Sequence, residues 1–359
     1  MKLPRIEIQT WKITHNVKIL KEKAEKKGVV LAGVTKGVLA HPCVVNAFLE
    51  GGLAHLADSR IQNIKRIRDW GFTGVLTLLR APMRSEVTEF LTHADHCMVS
   101  ELKTIQNLDE EAERQDKTPG YFLMVDVGDR REGVLPEEVI PFINTAQNYF
   151  NVSFQGLAAN IGCYSGVLPS IENLSTIVEL KNELNKNGIE VPILSGGSTS
   201  SLVLSESLDL PKDITQLKIG EGFLTGSDTV TGATFENTYQ DAFKLTAEII
   251  ELKTKPAVPE GKKGTLLSKQ EEDRKEKGSR KRGILAMGRQ DIVPSGMHPY
   301  NENIRIEGGS SDHMILDLTD VDTEYQVGDQ VHFYLSYSGI ISGFTSPYIQ
   351  KISLTENHC

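Results

Sequence analysis

Eight short apolar stretches, separated mostly by segments with helical spacing, dominate the first two thirds of the chain. They begin at Val29 and end near Ile219, so that eight units occupy roughly 200 residues. Alternating strands and helices in this number favour an α/β fold, a parallel (β/α)8 TIM barrel, over an open doubly wound sheet, which remains the structural alternative.

Polar or glycine residues follow the ends of these apolar stretches. They are Lys36, Asp58, Arg60, Arg80, Arg131, Asn160, Ser198 and Gly220. In a parallel barrel the carboxyl ends of all strands meet at one rim, and active sites lie there. The sequence therefore predicts a functional site at that rim.

Beyond Asn237 the pattern changes to short β-like segments with turn residues between them. We predict a barrel domain over residues 10–236 and a smaller, mainly β C-terminal domain over residues 237–359, together with residues 1–9. The predicted β segments are 245–252, 283–287, 304–306, 314–318, 330–337 and 349–353. Residues 253–281 are charged, contain Gly and Pro, and are predicted to form an insertion.

Composition limits the classes of partner. The formal net charge of -9 argues against a nucleic-acid-binding protein, because phosphate neutralisation needs an excess of Lys and Arg. The four cysteines, Cys43, Cys97, Cys163 and Cys359, show neither metal-ligand spacing nor a disulfide framework. No segment is typical of a membrane span or a signal peptide. We expect a cytoplasmic protein with no metal, nucleic-acid or membrane partner.

The first apolar stretch ends in Thr35-Lys36-Gly37 and brings an amine to the rim. Lysines often end strands merely to reach water, so Lys36 alone has no catalytic specificity. An amine in a desolvated site is, however, the usual nucleophile that forms a Schiff base with a carbonyl. The other strand ends decide between these two interpretations.

The seventh stretch is followed by two glycines and several hydroxyl residues, Ser195 to Ser201, and the eighth by Gly220-Glu221-Gly222. Backbone amides near glycines can bind a phosphate, and the loops after barrel strands seven and eight frequently do so. A flexible surface loop is the alternative. A Schiff-base lysine and a phosphate site on one rim together predict pyridoxal 5'-phosphate as cofactor.

Four runs of residues resemble one known family. They are Ala57-Asp58-Ser59-Arg60-Ile61-Gln62-Asn63, the segment from Met124 to Gly133, Ser195-Gly196-Gly197, and the segment from Ile284 to Asp291. They are similar to the alanine/ornithine racemase family of barrel-type (fold type III) pyridoxal-phosphate enzymes, particularly to its ornithine racemases. The resemblance covers nearly the whole chain. It implies an alanine racemase-like barrel with a second, mainly β domain.

The resemblance also implies a role for individual residues. Lys36 would carry the Schiff base and act as one base, and Arg131 would bind the substrate carboxylate, as a guanidinium can do with two hydrogen bonds. Asn160 would lie against the cofactor ring. Phosphate-binding segments would contain Ser198, Thr199, Gly220 and Glu221. Asp312 beside the substrate and Tyr337 at the phosphate would be supplied across a homodimer with shared active sites.

Three positions depart from the pattern of alanine racemases. Lys218 stands where those enzymes have an arginine at the pyridine nitrogen, and Ala40 stands where they have a tyrosine. Their second catalytic base is a tyrosine, and the corresponding stretch near Glu260 to Thr265 contains none. Tyr337 and Asp312 are the candidates for the second base, although Tyr337 could equally be a packing aromatic or a phosphate ligand.

The implied activity is racemisation of an amino acid by removal and return of its α-proton, on ornithine, another basic amino acid or alanine. A cationic side chain needs an acidic partner, and Asp58, Glu132 and Asp291 could supply it unless each pairs with its neighbouring arginine. Two alternatives remain: a decarboxylase of basic amino acids, and a non-catalytic pyridoxal-phosphate homeostasis protein. The cysteine expected of the decarboxylase is represented in the second domain only by Cys359.

Overall fold

The computed structural model describes residues 2–207, 210–262 and 278–354. It divides into two compact units. Residues 10–240 form the barrel unit, and the described residues before and after them form the β unit. None of the helices in these described ranges is long and apolar enough to cross a membrane.

The chain begins with strand β1 (Arg5–Gln9), which belongs to the β unit. The next eight strands are parallel and close into a barrel in sequence order, with the last pairing to the first, which confirms the predicted barrel. They are β2 (Val30–Val34), β3 (His55–Asp58), β4 (Val75–Leu78), β5 (His96–Val99), β6 (Gly120–Met124), β7 (Ser153–Ala158), β8 (Ile193–Ser195) and β9 (Gln216–Ile219).

Nine helices belong to the described part of the barrel unit. They are α1 (Thr10–Glu25), α2 (Pro42–Glu50), α3 (Ile61–Asp69), α4 (Val87–His93), α5 (Leu102–Gln115), α6 (Val139–Ala146), α7 (Ile171–Lys186), α8 (Thr199–Ser207) and α9 (Glu221–Thr225). Short 3-10 turns occupy Lys36–Val38, Arg84–Glu86 and Pro136–Glu138. The sequence pattern does not predict α8 and α9, because Ser, Thr and Gly have modest helix propensity and each helix is short.

The helices bury one apolar face against the strands. In α1 the buried residues Ile13, Val17, Leu20 and Ala24 recur at helical spacing. Strand side chains such as Leu56, Phe122 and Leu217 are fully buried. Burial of this apolar surface is the main stabilising contribution to the barrel unit.

The β unit contains an eight-stranded sheet within its described residues. Its central path runs β12-β15-β10-β11-β14-β13, and β1 pairs with β10 and with β16. The further strands are β10 (Phe243–Pro256), β11 (Ser279–Leu285), β12 (Met297–Pro299), β13 (Arg305–Gly309), β14 (Met314–Asp317), β15 (Gln330–Leu335) and β16 (Gln350–Leu354). Helix α10 (Tyr337–Thr345) and a 3-10 turn at Pro294–Gly296 complete this unit.

Two boundaries in the β unit differ from the sequence predictions. The predicted insertion 253–281 is strand at both ends, because β10 continues to Pro256 and β11 begins at Ser279, with Lys253 opposite Arg282. Backbone pairing thus overrides the charged composition, while residues 263–277 lie outside the described residues. The predicted segment 330–337 ends at Leu335, and Tyr337 begins α10, which buries Ile340 and Phe344 despite its glycines.

Candidate active site

Three strand ends that the sequence singles out are neighbours around the barrel. Strand β8 pairs with β9, and β9 pairs with β2, all in parallel. Their C-terminal ends lead to Ser195–Ser201, to Gly220 and to Lys36, respectively. A Cβ atom on Gly220 would lie only 3.1 Å from Cβ of Val34, so this part of the C-terminal rim is tightly packed. The predicted amine and the predicted phosphate site therefore share one side of the rim.

Lys36 lies two residues beyond the end of β2, at the first position of a 3-10 turn. Its side chain is exposed, whereas Thr35 and Gly37 on either side are buried. The amine can therefore reach a ligand at the rim from a backbone that is held within the protein.

The loop from β8 into α8 has the geometry of an anion site. Gly197 has φ +121°, and a Cβ there would lie 2.3 Å from Oγ of Ser201, so glycine is required. Ser201 is fully buried in the first turn of α8, and among the described residues its Oγ has no hydrogen-bond partner. The first turn of a helix also presents backbone N–H groups to an anion. This loop can bind a phosphate group.

Other hydroxyl groups fix the shape of this loop. Oγ of Ser198 lies 3.2 Å from Oγ of Ser200, which donates to the carbonyl of Ile161 at 3.2 Å. The N–H of Gly222 donates to Oγ1 of Thr199 at 3.3 Å and so ties α8 to α9. The predicted residues Ser198 and Thr199 thus lie in one connected segment with Gly220.

Glu221 does not behave as a surface carboxylate. Burial raises its pKa to about 7, and the nearby Asp228 adds to this effect. The backbone N–H and the hydroxyl of Thr229 both donate to Oε1 of Glu221. A carboxyl group that is partly neutral at pH 7 repels a neighbouring phosphate less than an ionised one.

Lys218 is buried within β9, and its Nζ donates to Oγ of Ser195 at 2.6 Å. Burial lowers the pKa of Lys218 to about 8, while the charge on Glu132 raises it and that on Arg131 lowers it. These effects show that the loop carrying Arg131 lies near Lys218. The lysine remains mostly protonated at pH 7 and can act as a buried cation beneath the rim.

Arg131 is carried by a loop after β6 that the backbone holds closed. The N–H of Asp126 donates to the carbonyl of Val134 at 2.9 Å, and Oδ1 of Asp126 accepts from Gly128 and Arg130. The guanidinium of Arg131 is exposed and contacts the carboxylate of Glu132. The structure thus places an arginine at the rim in contact with a carboxylate.

Asn160 follows β7, and its buried Nδ2 has no hydrogen-bond partner in the part of the chain that the structure describes. A buried amide N–H without a partner is unfavourable unless a ligand or water accepts its hydrogen bond. The side chain itself remains partly exposed. A planar ring acceptor at the rim could satisfy it.

Asp129 is a rim residue to which the sequence patterns assign no role. Only 2% of it is exposed, and Oδ1 accepts from Oγ of Ser165 at 2.6 Å and from the N–H of Gly162 at 3.3 Å. Burial raises its pKa, but these hydrogen bonds and the charge on Arg131 outweigh it, so the pKa is below its usual value. Asp129 joins the loops after β6 and β7. Because its partners are some 35 positions away in sequence, only the fold reveals this contact.

The remaining predicted residues lie in the β unit. Asp312 is exposed on the turn between β13 and β14, where its Oδ1 accepts from Oγ of Ser310 at 3.0 Å and lies 3.0 Å from Nδ1 of His313. The hydrogen bond from His313 lowers the pKa of Asp312. Gly288 allows this turn to pack closely, since a Cβ there would lie 2.3 Å from the N atom of Asp312. Tyr337 is partly buried at the start of α10.

The three predicted acidic partners of a cationic substrate differ. Asp58 is fully buried and saturated by Thr35, Arg60 and Asn63. Asp291 is buried and accepts from Gly288 and Ser346. Of the three, only Glu132 is at the rim and accessible, and it contacts its neighbour Arg131. Within the described residues, no group of three or more His, Cys, Asp and Glu side chains is placed to bind a metal ion.

Comparisons with known sequences agree over nearly the whole chain. The family model for the alanine racemase N-terminal domain matches residues 8–222. A lysine racemase of Thermotoga maritima is 35% identical over 353 residues, which are 98% of this chain and 99% of that protein. An ornithine racemase of Acetoanaerobium sticklandii is 37% identical over 350 residues, which are 97% of this chain and 99% of that protein.

Solved structures share the fold at much lower identity. The alanine racemase of Clostridium difficile 630 in complex with cycloserine has a TM-score of 0.74 at 16% identity, over 99% of this chain and 97% of that one. The D-threo-3-hydroxyaspartate dehydratase from Delftia sp. HT23 has a TM-score of 0.76 at 14% identity, over 99% of this chain and 95% of that one. At such identities the similarity concerns the fold alone.

Proposed function

The chain belongs to the alanine racemase family, and from this premise we propose that it is a pyridoxal-phosphate-dependent racemase of basic amino acids, ornithine or lysine. The observation that carries the proposal is that Lys36, Gly220 and the Ser195–Ser201 loop follow three consecutive strands, β2, β9 and β8, at one barrel rim. The full-length similarity to a lysine racemase and an ornithine racemase supports the substrate class.

The residues at the rim fit the cofactor. Ser201 Oγ and Asn160 Nδ2 are buried polar atoms without partners, and a Cβ at Gly197 would fill the space beside Ser201. Ser198, Thr199 and the backbone at Gly220 and Glu221 would hold the phosphate, with Asn160 and Lys218 at the ring and Tyr337 at the phosphate. When bound, pyridoxal phosphate supplies an aldehyde that condenses with amines and a conjugated ring that makes the α-hydrogen of the bound amino acid acidic.

Three residues would then act on the substrate. Lys36 would provide the amine that attaches the cofactor, and its free amine would take or return the α-proton of the substrate on one face. Arg131 binds the α-carboxylate with its guanidinium fork, exchanging part of its contact with Glu132. Glu132, the accessible acid of the three candidates, is then available to the cationic end of the substrate.

A proton must also be exchanged on the opposite face. Asp312 and Tyr337 are the candidates in the β unit, and the structure adds that Asp312 contacts His313. A carboxylate that accepts from imidazole Nδ1 leaves Nε2 able to exchange a proton, and such pairs are frequent general bases. We therefore treat Asp312 together with His313 as the first candidate and Tyr337 as the second.

The activity test uses the purified chain with pyridoxal phosphate in deuterated buffer, with L- or D-ornithine, lysine or alanine as substrate and chiral chromatography as the assay. We expect deuterium at Cα in both enantiomers of a basic amino acid and slower reaction with alanine. Borohydride reduction and peptide mapping should locate the cofactor on Lys36. Release of carbon dioxide would favour the decarboxylase instead, and a bound cofactor without α-exchange would favour the homeostasis protein.

We also propose a homodimer in which each active site takes Asp312 and Tyr337 from the partner subunit. The test mixes two inactive variants, Lys36→Ala and Asp312→Asn, under conditions that exchange subunits. A shared site predicts recovered activity, because one site of each hybrid contains both native residues. No recovery, although native mass spectrometry shows hybrid dimers, would contradict sharing.

We propose a cytoplasmic location for this enzyme. The described cysteines Cys43, Cys97 and Cys163 form no disulfide bond with one another, as is usual in a reducing compartment. Fractionation of cells that express the chain, followed by the racemase assay, tests this expectation.

A further inference from the structure

The turn that follows Lys36 has an unfavourable backbone. Leu39 has φ +51° and Ala40 has φ +50°, so two consecutive residues other than glycine adopt the left-handed conformation. Their Cβ atoms crowd the backbone in this region, and neither side chain has the polar group that compensates Asn or Asp there. Such a turn persists only where the surrounding structure holds it.

The turn closes on Thr35, the residue before the lysine. The carbonyl of Thr35 accepts from the N–H of Val38 at 3.1 Å and of Ala40 at 3.2 Å. The N–H of Thr35 donates to the carbonyl of Ala57 on β3 at 3.0 Å. The position of Thr35 therefore sets the position of the whole turn, and with it the direction of Lys36.

Asp58, the last residue of β3, holds the side chain of Thr35. Oγ1 of Thr35 donates to Oδ2 of Asp58 at 2.6 Å. Oδ1 of Asp58 accepts from the N–H of Arg60 at 2.9 Å and from Nδ2 of Asn63 at 3.0 Å. Asp58 is 0% exposed, so its carboxylate is fixed from both sides. Hydrogen bonds to a buried carboxylate are among the stronger ones in proteins.

A second contact reaches the other end of the turn. Nη1 of Arg66 on α3 donates to the carbonyl of Leu39 at 2.5 Å. Arg66 is exposed, so this contact competes with water and is weaker than the buried one. Strand β3 and helix α3 thus contact the turn that follows Lys36 at two points, Thr35 and Leu39.

We propose that Asp58 is a positioning residue for Lys36. Asp58 holds the hydroxyl of Thr35 and so keeps the amine of Lys36 at the rim, and Arg66 gives a weaker second support. This inference rests on the proposed attachment of the cofactor to Lys36. It assigns to Asp58 a task different from recognition of a cationic substrate, for which its saturated and buried carboxylate is unsuited. Burial raises the pKa of the Asp58 carboxyl, and the hydrogen bonds from Thr35, Arg60 and Asn63 together with the charge of Lys36 oppose this rise.

The test compares Asp58→Asn, Thr35→Val and Thr35→Ser. Asn keeps the shape of Asp but loses its charge and one acceptor, Val removes only the hydroxyl, and Ser retains it. We expect kcat to fall about 10-fold to 100-fold in Asp58→Asn and Thr35→Val, with little change in KM, because a displaced amine slows proton transfer more than substrate binding. Thr35→Ser should stay within about threefold of wild type, and Arg66→Gln should lose less than Thr35→Val.

A second readout does not depend on racemisation. The cofactor-free protein is mixed with pyridoxal phosphate, reduced with borohydride at intervals, and the modification of Lys36 is followed by mass spectrometry. Labelling should be slower in Asp58→Asn and Thr35→Val, and the pH titration of the lysine-bound cofactor absorbance should change in Asp58→Asn, which loses the carboxylate charge. A purely structural role would lower thermal stability in both variants without moving this titration.

The outcomes separate this inference from the proposed function. If the wild type racemises no basic amino acid, or borohydride labels another lysine, the proposed function fails whatever the variants do. The positioning role would be wrong in a second case, in which the wild type is active and labelled at Lys36. There, folded Asp58→Asn would keep its labelling rate and kcat within about twofold of wild type and would show an unchanged pH titration.

Discussion

The two rims of the barrel differ in how completely their buried polar groups are hydrogen-bonded. In the described barrel unit, six buried side-chain nitrogen or oxygen atoms have no hydrogen-bond partner, and four of them, in Arg80, Asp129, Asn160 and Ser201, belong to the C-terminal rim. At the N-terminal rim, His55 bonds Thr77 at 2.8 Å, and Asp95 accepts from Arg68 and from the backbone of Leu76. Nδ1 of His96 is the exception there.

This difference distinguishes polar groups that stabilise the fold from polar groups that a ligand could bind. Polar groups that pair with each other at the N-terminal rim contribute to folding, whereas those without partners at the C-terminal rim cost folding free energy and are available to a ligand. The N-terminal rim also has a cavity of about 520 Å³, bordered by His55 and His96. A cavity alone is therefore weak grounds for placing a ligand at this rim, because the neighbouring polar groups are mostly paired.

The largest expected effect tests the C-terminal rim. Lys36→Ala should lower the racemisation rate by at least about 1,000-fold, because it would remove both the proposed attachment point and the proposed base. Its thermal stability should change little, since the side chain is exposed. Initial rates and thermal unfolding measure the two quantities. Lys103→Ala on the exposed face of α5 is the matched control, and equal losses in both variants would contradict the assignment.

The next effect tests the N-terminal rim. Burial lowers the pKa of His55 to about 4, with further lowering by the charges of His96 and Lys218. The pKa of His55 is thus lower in the folded state than in the unfolded state. The contribution of neutral His55 to the free energy of unfolding is present above pH 6.5 and is lost as the pH falls towards 4. On acidification, the free energy of unfolding of His55→Gln should therefore fall by about 2–3 kcal/mol less than that of the wild type.

Chemical denaturation at pH 7 and at pH 4.5 measures this change. His93→Gln, at the end of α4, is the matched control for the substitution itself. Racemase activity at pH 7 should be unaffected in His55→Gln. A large loss of activity at unchanged stability would show that the N-terminal rim takes part in function, which would remove the distinction between the rims.

The smallest expected effect distinguishes two adjacent serines. Ser201→Ala should weaken cofactor binding about tenfold, yet stabilise the cofactor-free protein by about 1 kcal/mol, because the buried hydroxyl has no partner. Ser200→Ala should destabilise the cofactor-free protein by a similar amount, since its hydroxyl bonds the carbonyl of Ile161. Equilibrium dialysis and thermal unfolding test both. Destabilisation in both variants would mean that Ser201 has a structural partner.

Much of the fold could be predicted from local pattern. Apolar stretches of strand length and helical spacing predicted all eight barrel strands, since burial imposes these periods directly on the sequence. Helix α10 could not be predicted, because its glycines and serines disfavour a helix and only packing of Ile340 and Phe344 stabilises it. The ends of β10 and β11 were also missed, because strand pairing outweighed a charged composition.

The sequence by itself determined the barrel, the family and the position of Lys36 at a strand end, because each depends on residues that are close in the chain. The tertiary structure decided which of the polar residues have hydrogen-bond partners within the protein and which could bind a ligand. It buried Asp58 against Thr35, joined Asp129 to the next loop and left Ser201 and Asn160 without partners. These outcomes depend on hydrogen bonds between loops far apart in sequence, and the free energy of such contacts exists only once the barrel has closed.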